Sequence, residues 1–556
     1  MFLSIENYIT MSVYQRNMSL TGEPPKALST TEKIASAIGM VGLFILILAF
    51  FNVNLPWKGA WLTAALVLIS GGIIAFARAQ YAHKQAGIKN DGVWFKDLSS
   101  RGFWGGWVLA IFLTSFYIVL YFFPATLGQG TDGAANTGLI GLFDPLSYLL
   151  KGQAASQWFV YGTLYTVAIL SFGIKFILKY RHNSYEVIRT GSVMFFQTTF
   201  AFLIPEIMAG LNSTKDLPYY DLKNVWPLNY YLFEQWNVNA LLVNGSLGMT
   251  MLLFGVASIL VITPILTYKF GKRWYCSWVC GCGGLAETAG DSFRQLSDKS
   301  TGAWKIERWL VHSVLVFAVI STVGIVHSYL PKNNIYKIWE DGTVVKQYET
   351  FFTQSNFLIL VGVGLTVIFA LIWIFRRNEL KQDARYGAIG FLFTILAFIG
   401  IHFMAGTENL FFFNHGAVKS AYGFLIGAVF SGVIGTGFYP ILGNRAWCRF
   451  GCPMAAILGL QQRLFSKFRI TTNGGQCISC GNCSTYCEMG IDVRSYAQKG
   501  ENIVRASCVG CGICSAVCPR GVLKLENGPL EGRINSEAVL LGQEPDLMEL
   551  LSNNKK

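Results

Sequence analysis

Charge is scarce in this chain of 556 residues. Asp, Glu, Lys and Arg make up only 13% of it, against 53% hydrophobic residues, where ordinary globular domains carry about 25% charged residues. With a mean hydropathy of +0.42, the deficit excludes a water-soluble fold for most of the length. Acidic residues are the scarcer kind, 31 against 44 Lys and Arg, which leaves a net charge of +13. The basic residues flank long apolar runs, a pattern of membrane topology and an anionic leaflet and not of nucleic-acid binding. Cysteine is missing before Cys276 and after Cys518, and all 13 cysteines fall between them in short clusters. Such spacing argues for metal sites over a disulfide framework, and so for a reducing compartment. The N-terminus is polar up to about Thr31 and lacks the charged region, apolar region and cleavage site of a secretory signal. No phosphate-cradling glycine loop, hydrolase elbow or dinucleotide fingerprint stands in the strand–helix context it needs.

Spanning a bilayer takes about 20 mostly apolar residues. Ten stretches qualify, at roughly 34–53, 59–79, 103–124, 157–178, 190–211, 246–268, 309–330, 356–375, 385–404 and 418–440. In lipid every backbone group needs an internal partner, so these are expected as helices. Arg78, Lys84, Lys89 and Lys96 share one side of the membrane with Lys179, Arg181 and Arg189, and with Lys269, Lys272 and Arg273. Arg376, Arg377, Lys381, Arg385, Arg445, Arg449 and both termini fall there too. The excess predicts that this side is cytoplasmic. The opposite loops, about 125–156, 212–245 and 331–355, are long enough to be folded caps or docking surfaces as well as connections. Trp and Tyr enrichment reads as interfacial belts.

The cysteines carry the chemistry. Cys477, Cys480, Cys483 and Cys487 follow a C-x₂-C-x₂-C-x₃-C spacing, and Cys508, Cys511, Cys514 and Cys518, with Pro519 next, repeat it. This is the two-cluster bacterial ferredoxin spacing, in which the fourth cysteine of each run serves the other cluster. It predicts one [4Fe–4S] centre on Cys477, Cys480, Cys483 and Cys518 and a second on Cys508, Cys511, Cys514 and Cys487. Gly481 and Gly512 recur where the backbone must fold closely round a sulfur cage. A pair of zinc sites is the alternative. Glu488 stands where the other half has Pro519, and its charge is expected to lower a cluster potential. Two further motifs, Trp274-Tyr275-Cys276-Ser277-Trp278-Val279-Cys280-Gly281-Cys282 and Trp447-Cys448-Arg449-Phe450-Gly451-Cys452-Pro453, each follow an apolar run and read as a degenerate internal repeat. Cys276, Cys280, Cys448 and Cys452, with Cys282 as a fifth thiol, are candidates for a third iron–sulfur or other metal centre at the membrane edge. Structural pairs, zinc, or a merely buried Cys282 are the alternatives. The basic stretches Phe293 to Lys305 and Leu460 to Arg469 are expected to lie along the membrane surface.

Paired membrane motifs and a terminal two-cluster segment on a multi-span chain resemble the NapH/NosR/CcoG superfamily of membrane-bound polyferredoxins. The stretch Leu142-Phe143-Asp144-Pro145-Leu146 is similar to an Asp-Pro element in the outer loop of that group, and the resemblance covers roughly 100–190 and 245–525. It implies electron movement between a quinone pool or cytoplasmic donors and periplasmic reductases, with nitrate and nitrous oxide respiration as settings. The CcoG branch implies copper reduction during oxidase assembly. The first motif lacks the usual proline, no large domain precedes the first span, no β-rich domain follows the ferredoxin segment, and there are more spans than in a minimal NapH. The resemblance therefore implies the superfamily and not one member.

The expected fold is a polytopic α-helical membrane protein of about ten transmembrane helices with a C-terminal α+β two-cluster ferredoxin-like domain. The division is 1–32 cytoplasmic segment, 33–275 spans one to six, 276–306 first Cys motif, 307–440 spans seven to ten, 441–473 second motif and amphipathic linker, 474–525 ferredoxin-like domain, and 526–556 tail. The expected setting is a bacterial inner membrane with both termini and the ferredoxin domain cytoplasmic. Expected partners are lipids, menaquinone or another quinone, and redox proteins on either side, with no nucleic acid. Clusters at one face of a hydrocarbon core about 30 Å thick need help to serve the other face. Glu206, near the far end of span five, is a candidate quinol proton acceptor, with a snorkelling carboxylate as the alternative. Paired histidines ligate haem in other proteins; His312, His327 and His402 sit near span ends at mixed depths and read as structural. Without a Cys-x₂-Cys-His, covalent c-type attachment is excluded. Glu287 reads as a helix-surface residue. The leading function is electron relay, as a component of an oxidoreductase system. A metal reductase binding Cu(I) through Cys276, Cys280 and Cys282, and a redox-sensing scaffold subunit, are the alternatives.

Overall fold

The computed structural model describes residues 28–527 apart from 54, 84–85, 87–103, 132, 216–219, 222, 341 and 408. Lys89, Lys96 and the segment after 527 lie outside the described residues, as does Lys84. Among the described residues, ten helices are long and apolar enough to cross a membrane. They are α1 Thr30–Phe50, α2 Lys58–Ala82, α3 Trp104–Phe122, α4 Gln157–Tyr180, α5 Ser184–Asn212, α6 Gly245–Phe270, α7 Thr301–Tyr329, α8 Gln354–Glu379, α9 Gln382–Ala405 and α10 His415–Ile434. Each of the ten apolar stretches becomes one helix. The largest change is α7, which starts eight residues before the apolar run because Ser300 caps it, accepting from Ala303 N.

Small residues let α1 and α2 approach closely. A Cβ on Gly72 would lie 2.6 Å from Gly39 N and 2.8 Å from Ala35 O, and one on Gly42 would lie 2.7 Å from Ala65 O. Between helices in lipid, such close packing takes the place of hydrophobic driving force. The far-end loop 125–156 is folded round Asp144, whose Oδ1 accepts from Asn136 Nδ2 at 2.7 Å and Ala155 N at 2.9 Å. The loop 331–355 is an antiparallel hairpin, β1 Ile335–Glu340 with β2 Thr343–Glu349.

The ferredoxin segment is bolted to one end of the bundle. Tyr185 Oη donates to Gly510 O at 2.9 Å, Ser277 Oγ to Val509 O at 2.9 Å, and Lys272 Nζ to Ala506 O at 2.7 Å. Phe176, Tyr180 and Ile513 form a shared apolar contact. The stretch Leu460 to Arg469, expected on the membrane surface, instead belongs to this junction. Part of it is in the helix Pro453–Phe465, where Gln462 Nε2 donates to Cys508 O at 2.8 Å. The rest begins β3 Phe468–Thr472, which pairs antiparallel with β4 Leu523–Asn527. Of Phe293 to Lys305, the part up to Ser297 turns inward, because Arg294 is fully buried and finds carboxylates inside, whereas 298–305 stay exposed or half-buried.

Gly72→Leu is expected to destabilise the detergent-solubilised protein by about 1–3 kcal/mol through overpacking, read as a lower melting temperature. Gly71→Leu, where an added Cβ meets nothing within 4 Å, is expected to leave it unchanged.

Candidate iron–sulfur sites

The ferredoxin segment is built twice on one plan. The short helices Asn482–Thr485 and Ile513–Ala516 each start from a glycine with positive φ, Gly481 at 80° and Gly512 at 93°. Only glycine adopts that backbone at no steric cost. Four residues past the last cysteine of each run, a backbone amide returns to its sulfur: Ile491 N to Cys487 Sγ at 3.4 Å and Val522 N to Cys518 Sγ at 3.3 Å. Cys483 feels the charges of Cys477, Cys480 and Cys518, and these four line one cavity with Arg494 and Leu523. Cys514 feels those of Cys508, Cys487 and Cys483, and Cys511 feels that of Cys514. The structure thus brings together the two crossed sets that the spacing predicts, with Cys483 and Cys514 adjoining.

The other five thiols also converge. Cys276, Cys280, Cys448 and Cys452 interact electrostatically in every pairing, and all four are buried. Cys282 is hydrogen-bonded to Cys280. That bond and nearby Lys223 and Arg445 overcome burial and bring Cys280 down to about 6. Burial pushes Cys276 up to about 12 and also raises Cys452 well above the usual thiol range.

These thiols are not at the edge of the bundle. Gly281, between Cys280 and Cys282, packs against Gln197 of α5, which bonds Thr166 of α4 at 3.1 Å. Both lie about 20 Å along their helices from the ferredoxin end. From there the helix Gly281–Thr288 runs back along α4 and α5, with Leu285 against Ile169 and Val193. In the second copy, Gly451 packs on Phe430 of α10. After each apolar run the chain turns back alongside the helices before the cysteines, so the thiols lie beside α5 and the last turns of α10.

Buried charge links this site to the ferredoxin segment. Glu488 is fully buried and meets Arg294 Nη1 at 2.8 Å and Arg445 Nε at 3.0 Å. Asn444 Nδ2 adds a bond at 3.1 Å. Burial raises the Glu488 carboxyl, but Arg445 and Arg294 outweigh it and hold it below the usual range. Arg445 also pairs with Glu287, and its Nη1 reaches Cys448 Sγ at 3.6 Å. Glu287 pairs in turn with Arg189, which holds Glu186 at 2.6 Å. Asp291 joins Lys179 at 2.5 Å and Arg294 at 3.1 Å, and Arg449 joins Glu307 at 3.0 Å. Two expectations fall here. Glu287 is 1% exposed and not on a helix surface. Glu488 does not present an uncompensated charge to a cluster, because two guanidinium groups neutralise it.

The donor sets are all thiolate, four cysteines in each, which suits iron–sulfur ligation. Among the described residues, three donor atoms lie within 4.8 Å of one another at Glu287, Glu488 and Cys511, and these carboxylates are already paired with arginine. Glu206 is elsewhere, 3.1 Å from Lys151 at the far end of the bundle. His312 bonds Arg308 O, whereas His327 and His402 meet edge to face at 4.7 Å, not opposed across the plane of a macrocycle. Among the described residues, neither ring nitrogen of His327 has a hydrogen-bond partner.

Comparison with known proteins agrees with this geometry. The 4Fe-4S dicluster domain family matches residues 476–523, and a 4Fe-4S binding domain family matches twice, at 252–300 and 423–471. The second match falls on the two copies of the internal repeat. A protein of Escherichia coli (strain K12) with the provisional name electron transport protein YccM is 40% identical over 55 residues, 10% of this chain and 15% of that protein. No solved structure matches. The likeness to known proteins is thus confined to 4Fe-4S binding segments of the chain, and the aligned part spans 15% of the relative's length.

Glu488→Gln is expected to cost about 3–5 kcal/mol, because it leaves buried arginines short of a counter-charge. Limited proteolysis should release the ferredoxin segment sooner, while Glu206→Gln leaves that release unchanged. Asp291, held at about 2 against 3.8 when unfolded, contributes stability that is present above about pH 3.8 and lost as pH falls towards 2. Asp291→Asn should flatten the acid limb of the melting-temperature profile.

Proposed function

We propose that the chain is a membrane electron relay in which three [4Fe–4S] sites follow one another. Cys477, Cys480, Cys483 and Cys518 would hold the first. Cys508, Cys511, Cys514 and Cys487 would hold the second, and Cys276, Cys280, Cys448 and Cys452 the third. Clusters bound there supply one-electron transfer. The observation that carries this reading is the convergence of four thiols from both repeat copies inside the bundle, joined to the ferredoxin segment through Arg445 and Glu488.

The residues of the chain do the tuning. Ile491 N, Val522 N and Ala455 N donate to Cys487, Cys518 and Cys452 sulfurs at 3.3–3.4 Å, which favours the more negative, reduced state. Arg445 adds a charged donor to Cys448. The apolar surroundings of Met454, Leu458 and Val509 exclude water from the path.

The setting is a bacterial inner membrane with the ferredoxin end cytoplasmic, in keeping with Lys179, Arg181, Lys269, Arg273, Arg376 and Lys381 at that end. The donor is a quinol or a cytoplasmic carrier, and the sink a respiratory reductase such as that for nitrate or nitrous oxide, as the superfamily resemblance implies. Electrons need to cross only the remaining part of the bundle from the third site.

Iron analysis with EPR tests the reading. Anaerobically purified protein should carry about twelve iron atoms per chain, and Cys448→Ala with Cys452→Ala about eight. Eight in both would remove the third site, and copper retained at the same cysteines would favour the metal-reductase reading. Reduction of the signals by menaquinol would make a quinol the donor. Reduction by dithionite alone would exclude it.

A further inference from the structure

The segment 220–234 connects the far ends of α5 and α6, yet it does not stay at that end. Its outer part is anchored there: Glu234 pairs with Lys419 at 2.8 Å, and Phe233 O accepts from Tyr329 Oη at 2.8 Å. Deeper, Trp226 Nε1 donates to Thr322 Oγ1 at 2.9 Å, and Tyr230 packs on Tyr422 and Gly427. Tyr220 Oη lies beside Gly255, about 15 Å along α6 from its far end. Deepest of all are Lys223 and Asn224, whose O and Oδ1 face Tyr275 Oη at 3.3 and 3.4 Å.

At that point Lys223 reaches the cysteines. A Cβ on Gly281 would stand 3.0 Å from Lys223 Nζ, and Gly281 is the residue between Cys280 and Cys282. The ammonium is steered by Gln197 Oε1 at 3.5 Å, and the segment is pinned by Asp221, whose Oδ1 accepts from Lys223 N at 3.2 Å and Asn224 N at 3.1 Å. Arg445 faces the same thiols from the other repeat copy, with Nη1 on Cys276 O at 3.3 Å. Lys272, 1% exposed, stands on the ferredoxin side. Lys223 is thus the cation that comes from the opposite direction, delivered by a loop that begins and ends at the far face.

We infer that Lys223, inserted by the re-entrant segment 220–234, sets the reduction potential of the group held by Cys276, Cys280, Cys448 and Cys452, and so couples that group to the far face of the bundle. The inference rests on the third site proposed above. Reduction adds one electron, and no proton is required. The added negative charge is stabilised by a nearby fixed cation in surroundings of low dielectric. Neighbouring charge and hydrogen bonding at sulfur are the levers that set cluster potentials. Lys223 is a potential-setting residue, not a ligand.

The test is an EPR-monitored potentiometric titration of the full-length protein in detergent, with dithionite as reductant and iron counted in each sample. Lys223→Met should lower the reduced-to-oxidised ratio of the third signal about tenfold at a fixed potential, or about 59 mV for a one-electron couple. The two ferredoxin signals should not move, and Lys223→Arg should restore the wild-type position. Lys223→Gln, which keeps a polar contact to Gln197, serves if the Met variant loses iron. An unmoved third signal at full iron content overturns this inference and leaves the third site standing. Absence of a third signal and of its iron in the wild-type protein overturns both.

Discussion

Buried charge is the constraint on which the rest of this structure depends. Arg189, Arg294, Arg445 and Arg449 are closed off from water, and an unpaired buried charge costs several kcal/mol. Each is tolerated because Glu186, Glu287, Asp291, Glu307 or Glu488 meets it. The arginines and their partners come from α5, α7, both cysteine loops and the ferredoxin segment, so no one of these parts can move away without stranding a charge in another. A ferredoxin carried on a loose linker would need none of this. The network makes the ferredoxin-like segment a fixed component of the bundle.

Fixing the parts also fixes the distances between thiol sets. Arg445 touches Cys448, and Glu488, its partner, adjoins Cys487 in the chain. The same pair that joins the two domains therefore spans the interval between a bundle site and a ferredoxin site. Depth matters as much. Cysteines at a membrane face would leave nearly the whole hydrocarbon thickness of about 30 Å to be crossed. Cysteines packed against Gln197 and Phe430 sit alongside the helices, and the segment 220–234 reaches them from the other end of the bundle.

The legible features were those whose physics is local. Ten apolar stretches of membrane length became ten helices, because lipid forces intrahelical hydrogen bonding on any such run. The two cysteine runs were visible in spacing, since each closes over eleven residues, whereas the approach of Cys518 to Cys483 joins positions 35 residues apart. The repeat was visible in two short motifs, and one family matches both copies. Glu287 and Glu488 were misread for the opposite reason. A carboxylate in sequence carries no sign of the arginine that will face it from more than a hundred residues away, as Arg445 faces Glu287 and Arg294 faces Glu488. The basic stretches were likewise taken for membrane-surface helices, because amphipathic patterning does not distinguish a lipid surface from a protein one.

Composition, run length and cysteine spacing by themselves determined a multi-span helical chain with iron–sulfur ligands, since each depends on neighbours within about twenty residues. Only the tertiary structure decided where those ligands lie. Gly281 and Gly451 pack against α5 and α10, and that packing places Lys223 beside Gly281 and Arg445 beside Cys448. Depth in a bundle is a property of which helices pack together, and charge compensation is a property of which side chains then face one another. Neither is written in any local stretch of the chain.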